Sequence, residues 1–145
     1  MNFEVYQKET KFAINDIEIE QFEVFHGPKY MCSAFKFYNI AYLSDVSEIP
    51  DKVRPHLENL DLLIIDCLAR RLKIEPNKNY ALSHLLLDTS IEEVRKLKPK
   101  KALFVGMCHV IEHHQLNEEL ELLRESEGLD IELAYDSMCI DVNLQ

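Results

Sequence analysis

The chain has 145 residues, 47% of them apolar, which is the size and composition of one folded domain and argues against a disordered chain. Its formal net charge of −10 disfavours non-specific binding to nucleic acids or anionic membranes, which needs a basic surface. A local basic group at Arg70, Arg71 and Lys73 is the exception. No apolar run is long enough to span a membrane, and the N-terminus has no apolar signal segment. We therefore expect a cytoplasmic protein with a single domain over residues 1–145.

The first third of the sequence predicts strands. Its short segments partly alternate apolar with polar residues, the period of a half-buried strand. The predicted strands are Phe12–Ile14, Ile17–Glu20, Gln21–Phe25, Ala34–Phe37 and Ile40–Leu43. Asn15-Asp16 predicts a turn between the first two, and Gly27-Pro28 predicts a loop after the third.

The rest of the chain alternates helices with strands. Helices are predicted from Asp51 to about Asn59, from Thr89 or Ser90 to Leu97, and from Gln115 to Glu125 with Gly128 as the stop. Ser90 and Glu93 have the spacing of a capping box. The predicted strands are Leu60–Asp66, Ala102–Gly106, Ile131–Tyr135 and Met138–Val142, and Glu75–Tyr80 is predicted as a loop. Strands followed by strand–helix alternation indicate the α/β class, with a mixed sheet and helices packed against it.

The four cysteines are Cys32, Cys67, Cys108 and Cys139, and none forms a CxxC pair. That spacing argues against a cysteine-rich zinc site. In the absence of a secretion signal we expect reduced thiols, packed in the core as free cysteines usually are.

Histidine and aspartate residues recur where predicted strands end. His26, Asp45 and Asp66 each come at the end of such a strand, and His109 follows another after a short interval. Side chains at strand ends can converge on one edge of a sheet, and histidine with carboxylate suits zinc, manganese or iron. Taken singly, each residue is more often a cap or a hydrogen-bonded core residue. The combination is therefore a stronger indication of a metal site than any one of these residues.

Several of these segments together resemble the later motifs of the phosphodiesterases of the metallo-β-lactamase fold. They are His26-Gly27, Ile40–Pro50, Leu60–Asp66, Phe104–His109 and Leu133–Asp136. The resemblance covers nearly all of this chain but only about the second half of the family domain. It implies half of an αββα sandwich, in which a mixed sheet has helices on one face.

The resemblance also implies roles and a metal. His26 matches a ligand of the first metal, and Asp45 matches the carboxylate that bridges two metals. His84 matches a catalytic histidine near the scissile phosphate, and Asp66 a residue that organises the loop. The implied cofactor is zinc or manganese, and the implied substrate is a small phosphate ester.

The last ligand of the second metal is implied in the segment around His109. The family pattern has two histidines three residues apart, and the first of them falls on Gly106. Either His109 is that ligand, after a local shift of this segment relative to the family pattern, or the ligand is missing.

One departure from the family is plain in the sequence. Family members carry His-x-His-x-Asp-His near the N-terminus, and this sequence has no such run. Because two candidate ligands remain for each metal, we expect weak metal binding or none by this chain alone. Three interpretations follow: a hydrolase complete only in a longer form or with a partner chain, a non-catalytic remnant or interaction module, or an unrelated small α/β binding protein.

Half of a two-sheet domain also predicts an exposed apolar surface. We expect the sheet to include a stripe that the helices of this chain cannot cover, and therefore self-association or a partner that supplies the N-terminal half. The stripe is predicted from Phe22, Val24, Phe35, Phe37, Ala41, Leu43, Leu63 and Ile65. The alternative is that residues Met1–Ile19 seal it.

Overall fold

The structure is a computed structural model that describes residues 11–70 and 83–141. The predicted loop Glu75–Tyr80, Arg71, Lys73, Val142 and the first ten residues lie outside these ranges. The strands are β1 Lys11–Ile14, β2 Ile17–Phe25, β3 Met31–Phe37, β4 Ile40–Leu43, β5 Leu62–Asp66, β6 Lys101–Val105 and β7 Ile131–Leu133. The helices are α1 Leu87–Leu97 and α2 His113–Glu127, with a 3₁₀ turn at Arg54–Leu57.

The described strands form one mixed sheet in sequence order, β1-β2-β3-β4-β5-β6-β7. The first four pair antiparallel as consecutive hairpins, and β4 to β7 pair parallel. Parallel neighbours need a crossover, and α1 and α2 supply those between β5 and β6 and between β6 and β7. The predicted α/β class with a mixed sheet is confirmed.

The strand predictions of the first third are confirmed with one change. Ile17–Glu20 and Gln21–Phe25 form the single strand β2. Asn15 and Asp16 make the predicted turn, with positive φ angles of 47° and 66° that aspartate and asparagine tolerate. At the C-terminus, however, the predicted strand Met138–Val142 is wrong for its described residues. Met138 instead closes a turn by donating its N–H to the carbonyl of Tyr135.

The helices differ from prediction mainly at their starts. The predicted helix after Asp51 is only a 3₁₀ turn at Arg54–Leu57. Helix α1 begins at Leu87, and Thr89 Oγ1 accepts from the Leu86 N–H at 2.9 Å, so the predicted Ser90–Glu93 capping box is wrong. Ser90 is buried inside the helix, where its Oγ donates to the Asp66 carbonyl at 2.8 Å. Helix α2 ends at Gly128 as predicted, with φ 73°.

The core lies on one face of the sheet, the covered face. Alternate residues of β2 to β7 point there and pack under α1, α2 and the 3₁₀ turn. Those strand residues include Val24, Leu43, Leu63, Phe104 and Leu133, all completely buried. The helices therefore lie on one face of the sheet, as the fold class predicted.

The opposite face, the open face, is apolar but only partly covered. Its members share the other side-chain parity, and they include the buried Ile40, Leu62 and Leu103 and the partly exposed Met31, Phe35, Phe37, Tyr42 and Ile64. Met138 and Ile140 pack against part of it, while Met31 and Tyr42 each remain 39% exposed.

The predicted uncovered stripe mixed the two faces. Phe22, Val24, Ala41, Leu43, Leu63 and Ile65 lie on the covered face and are buried, so their assignment to an uncovered surface is wrong. Phe35 and Phe37 lie on the open face. The pairing register puts Phe22 and Phe35 on opposite faces. Phe22 pairs with Ala34, and the side chain of Phe35, the next residue of β3, points the other way.

The cysteines do not all pack in the core as expected. Cys67 is buried, Cys32 and Cys108 are half-buried, and Cys139 is exposed. Burial raises the pKa of the Cys67 thiol to about 12, which keeps it neutral. Cys139 is exposed because its segment is not the strand that was predicted.

Two further findings concern the expected surface. Arg70 makes a two-pronged ion pair with Glu119 of α2, which neutralises one member of the predicted basic group. Among the described residues, no helix combines the length and apolar character that crossing a bilayer requires.

Candidate metal centre

The sheet brings the chain's candidate residues to one edge. Because β2 and β4 both pair antiparallel with β3, they run in the same direction, and β5 and β6 follow β4 in parallel. The carboxyl ends of these four strands therefore share an edge. His26 follows β2, Asp45 comes two residues after β4, and Asp66 is the last residue of β5.

The segment after β4 is fixed to the end of β2. Phe25 donates its N–H to the Glu48 carbonyl at 3.1 Å, and Ser47 donates its own to the Phe25 carbonyl at 2.7 Å. Val46 is completely buried and anchors the segment. Asp45 takes the left-handed conformation, φ 53°, a strain of about 1–3 kcal/mol that the anchored neighbours maintain. Its side chain is consequently held at the surface, 61% exposed.

The ring of His26 is oriented from the segment before α1. His26 Nδ1 lies 2.7 Å from the carbonyl oxygen of Ser83. A carbonyl only accepts hydrogen bonds, so Nδ1 carries the proton, and Nε2 of the neutral ring keeps its lone pair. Metal-binding histidines are commonly oriented in this way.

The ring of His84 is oriented by a buried carboxylate. His84 Nδ1 lies 2.7 Å from Asp66 Oδ2, and the Asp66 side chain is only 2% exposed. Burial raises the pKa of the Asp66 carboxyl, while the hydrogen bond from His84 and the N–H of Val46 act in the opposite direction. Leu85 donates its N–H to the Val46 carbonyl at 2.8 Å, which fixes the backbone beside His84.

Among the described residues, one group could hold a metal ion: His26, Asp45 and His84. One ligand atom from each lies within 4.8 Å of the others. The two imidazole rings meet edge to face with centroids 4.9 Å apart, and His84 Nδ1 is 3.9 Å from Asp45 Oδ1. Two imidazoles and a carboxylate are a donor set that fits zinc, manganese or iron.

His109 lies apart from this group. It is exposed in the turn after β6, where Cys108 donates its N–H to the Leu68 carbonyl at 2.8 Å. Its assignment as the last ligand of a second metal stays a prediction. His113 and His114 begin α2. The rings of His113 and Tyr135 pack edge to face, with their centroids 6.4 Å apart.

Two features of the centre escaped the sequence reasoning. Asp66 was expected only to organise the loop, yet it holds His84 directly. Gly106 was noted as the position of an absent histidine, yet it lies against Asp66. An aspartate ending an apolar strand is the signal that could have indicated a buried partner for His84.

Comparison with known proteins supplies the family context. No family model and no curated protein matches the chain. Among solved structures, it is similar to a diphosphatase of the PhnP family, with 26% identity and a TM-score of 0.79, covering 94% of this chain and 47% of that one. It is also similar to the metallo-β-lactamase fold protein YhfI of Bacillus subtilis, with 17% identity and a TM-score of 0.64, covering 89% of this chain and 51% of that one. The chain has about half of a metallo-β-lactamase fold.

The zinc-bound PqqB of Methylobacterium extorquens shows the same fold at 12% identity, with a TM-score of 0.69 and coverage of 94% of this chain and 55% of that one. The chain thus spans about half the length of the metallo-β-lactamase-fold proteins that it matches. The resemblance to the metallo-β-lactamase fold is confirmed over about half of that fold.

Proposed function

We propose that this chain belongs to a metal-dependent hydrolase that cleaves small phosphate esters as a phosphodiesterase. One observation carries the proposal. His26 and His84 are both hydrogen-bonded to the protein through Nδ1, which leaves Nε2 of each ring available to a ligand, and one ligand atom of each ring lies within 4.8 Å of an Asp45 carboxylate oxygen. Two histidines fixed in this way, next to an exposed carboxylate, form a site prepared for a ligand rather than a pair of core residues.

His26 and Asp45 would hold the ion. Both side chains present free ligand atoms, and the carbonyl of Ser83 fixes the His26 ring. Zinc or manganese bound there would supply an activated water at neutral pH. The zinc-bound state of PqqB supports a zinc site in this fold.

His84 would act on the leaving group. The Asp66 carboxylate holds the ring through Nδ1, which leaves Nε2 as the atom from which a proton would pass to the departing alkoxide. The His84 side chain is 25% exposed, so a substrate at this edge of the sheet can reach it.

The chain by itself would hold metal weakly. Catalytic zinc sites use at least three protein ligands, and His26 and Asp45 supply two. We propose that the missing ligands come with a polypeptide that covers the open face, either an N-terminal half or a second copy of this chain. The diphosphatase of the PhnP family, about twice as long as the part it shares with this chain, supports this view.

The role of His84 can be tested by the leaving group of the substrate. With zinc or manganese added, His84→Ala should slow hydrolysis of an alkyl phosphodiester by about 10²–10⁴-fold. It should slow a p-nitrophenyl diester much less, because nitrophenolate departs without a proton. Equal losses on both substrates would contradict proton donation by His84.

Metal titration distinguishes the residues that bind the ion from the residue that donates the proton. Asp45→Ala and His26→Ala should weaken zinc binding measured by dye competition more than His84→Ala does, because His84 is proposed as the proton donor and not as a ligand. No turnover by the metal-loaded parent protein, even with the completing half supplied, would contradict a hydrolase and favour the non-catalytic remnant.

A further inference from the structure

A glycine lies against the buried carboxylate that orients His84. Gly106 follows β6 with φ 74°, and a Cβ built on it would stand 2.6 Å from Asp66 Oδ1. Real Cβ atoms do not approach an oxygen that closely, so any side chain at this position would have to displace the carboxylate or the backbone. Among the described glycines with positive φ, Gly128 has nothing within 4 Å of the corresponding position.

Neither the carboxylate nor the backbone is free to yield. Asp66 is held through Oδ2 by His84, its carboxylate also accepts from the N–H of Val46, and its side chain is buried. The backbone on both sides of Gly106 is fixed as well. Cys67 donates its N–H to the Val105 carbonyl and Cys108 donates its own to the Leu68 carbonyl, both at 2.8 Å.

We propose that Gly106 is a positioning residue for His84. Because it has no side chain, the Asp66 carboxylate can occupy the space beside its Cα and hold the His84 ring with Nε2 directed away from Asp66. A side chain at Gly106 pushes Asp66 Oδ1 away and lengthens the bond from Oδ2 to His84 Nδ1. The ring then loses its fixed tautomer, since the hydrogen bond to one ring nitrogen decides which nitrogen carries the proton.

The inference deepens the proposed function, on which its catalytic consequence rests, and its test needs no activity. The probe is the His84 ring in the full 145-residue chain with metal removed by chelator, at a pH of about 8.5 where an ordinary histidine is neutral. Nitrogen-15 shifts read through the carbon-bound ring protons report the tautomer. We expect the Nδ1–H form in the parent protein and its loss, with mixed tautomers, in Gly106→Ala.

Gly128→Ala is the matched control. Its φ of 73° equals that of Gly106 within a degree, so alanine meets the same left-handed strain at both sites. Only Gly106→Ala also meets Asp66. The control should keep the Nδ1–H form. Retention of that form in Gly106→Ala, or its loss in both variants, would overturn the inference.

A double-mutant cycle covers the case in which Gly106→Ala folds poorly. In the parent background, Gly106→Ala should lower Tm by more than twice the drop of about 4 °C expected for Gly128→Ala. In an Asp66→Ala background, the two glycine substitutions should cost the same, since the carboxylate is gone. An unchanged cost of Gly106→Ala in that background would overturn the inference. A confirmed tautomer change with no hydrolysis under any condition would leave Gly106 positioning His84 and would contradict only the proposed function.

Discussion

The two faces of the sheet are built from the same kinds of residue and have different surroundings. On the covered face, Phe104 and Leu63 are completely buried under the helices. On the open face, Phe35 and Tyr42 remain partly exposed, while Met138 and Ile140 pack against the cluster of Ile40, Leu62 and Leu103. The crossovers to β6 and β7 place α1 and α2 on one side of a parallel sheet, so hydrophobicity alone does not decide which side is covered.

The comparison separates the residues that stabilise the domain from the apolar residues that stay partly exposed. The covered face holds most of the completely buried side chains, while the open face keeps Met31 and Tyr42 each 39% exposed. The candidate metal centre lies at the edge of the sheet where the strand ends present His26 and Asp45. Substitutions on the two faces should therefore have different effects, and the following comparisons test that.

The largest effect is expected from a matched pair of phenylalanines. Phe104→Ala removes a completely buried ring and should lower the free energy of unfolding by about 3–5 kcal/mol. Phe35→Ala removes a partly exposed ring and should cost about 1 kcal/mol or less. Urea denaturation of both variants measures the difference. Equal costs would show that the open face is as well packed as the covered one.

The helical layer over the covered face also contains a pH-dependent contact. Arg54 holds Glu93 through two hydrogen bonds, of 2.7 and 3.2 Å. Burial by itself would raise the pKa of the Glu93 carboxyl, but the bonds from Arg54 and Lys96 outweigh it and hold that pKa below its ordinary value of 4.5. A lowered folded-state pKa means that the contact stabilises fully above the unfolded pKa and is lost as pH falls through the folded one.

We therefore expect Glu93→Gln to cost about 1–3 kcal/mol at pH near 7 and progressively less below about pH 4.5. Urea denaturation at a series of pH values measures this, with the exposed Glu118→Gln as a control that should show no comparable pH-dependent difference. A cost for Glu93→Gln that stays constant into strong acid would contradict the role of the ion pair.

The smallest effect on stability, but a clear effect on association, is expected on the open face. Tyr42→Ser should change the free energy of unfolding by less than about 1 kcal/mol and should reduce self-association and binding of a hydrophobic dye. Tyr135→Ser is the matched control, since Tyr135 is 58% exposed and lies beside His113 of α2 rather than on the open face. Light scattering that shows a monomer for the parent protein at tens of micromolar would contradict self-association and leave the N-terminal half as the covering partner.

Much of the fold was predictable because local patterns were strong. The alternation in Gln21–Phe25 and the apolar run before Asp66 predicted strands that the structure confirms. Gly128 correctly predicted a helix end, because its positive φ suits glycine. The predicted capping of α1 by Ser90 was wrong. The Ser90 hydroxyl donates to the carbonyl of Asp66, a partner 24 residues away that no local pattern reveals.

The candidate site was also predicted in part, but on a different ground. The residues His26, Asp45 and His84 came from the resemblance, and the shared sheet edge follows from β2, β4 and β5 running in parallel. The Ser83 carbonyl on His26 and the Asp66 carboxylate on His84 could not be predicted, because both join segments that are distant in sequence.

The sequence by itself determined the elements and the residue types of the centre, because helix and strand periods and strand-end polar residues are local properties. Only the tertiary structure decided which side chains share a face and which nitrogen of each histidine is free. Pairing register separates Phe35 from Phe22, and a shift of one residue would exchange them. The orientation of His84 depends on three segments meeting, where Asp66 ends β5, Gly106 follows β6 and His84 precedes α1. That meeting is a property of the folded sheet, because Asp66 and His84 are 18 residues apart along the chain and Gly106 follows His84 only after the whole of α1 and β6.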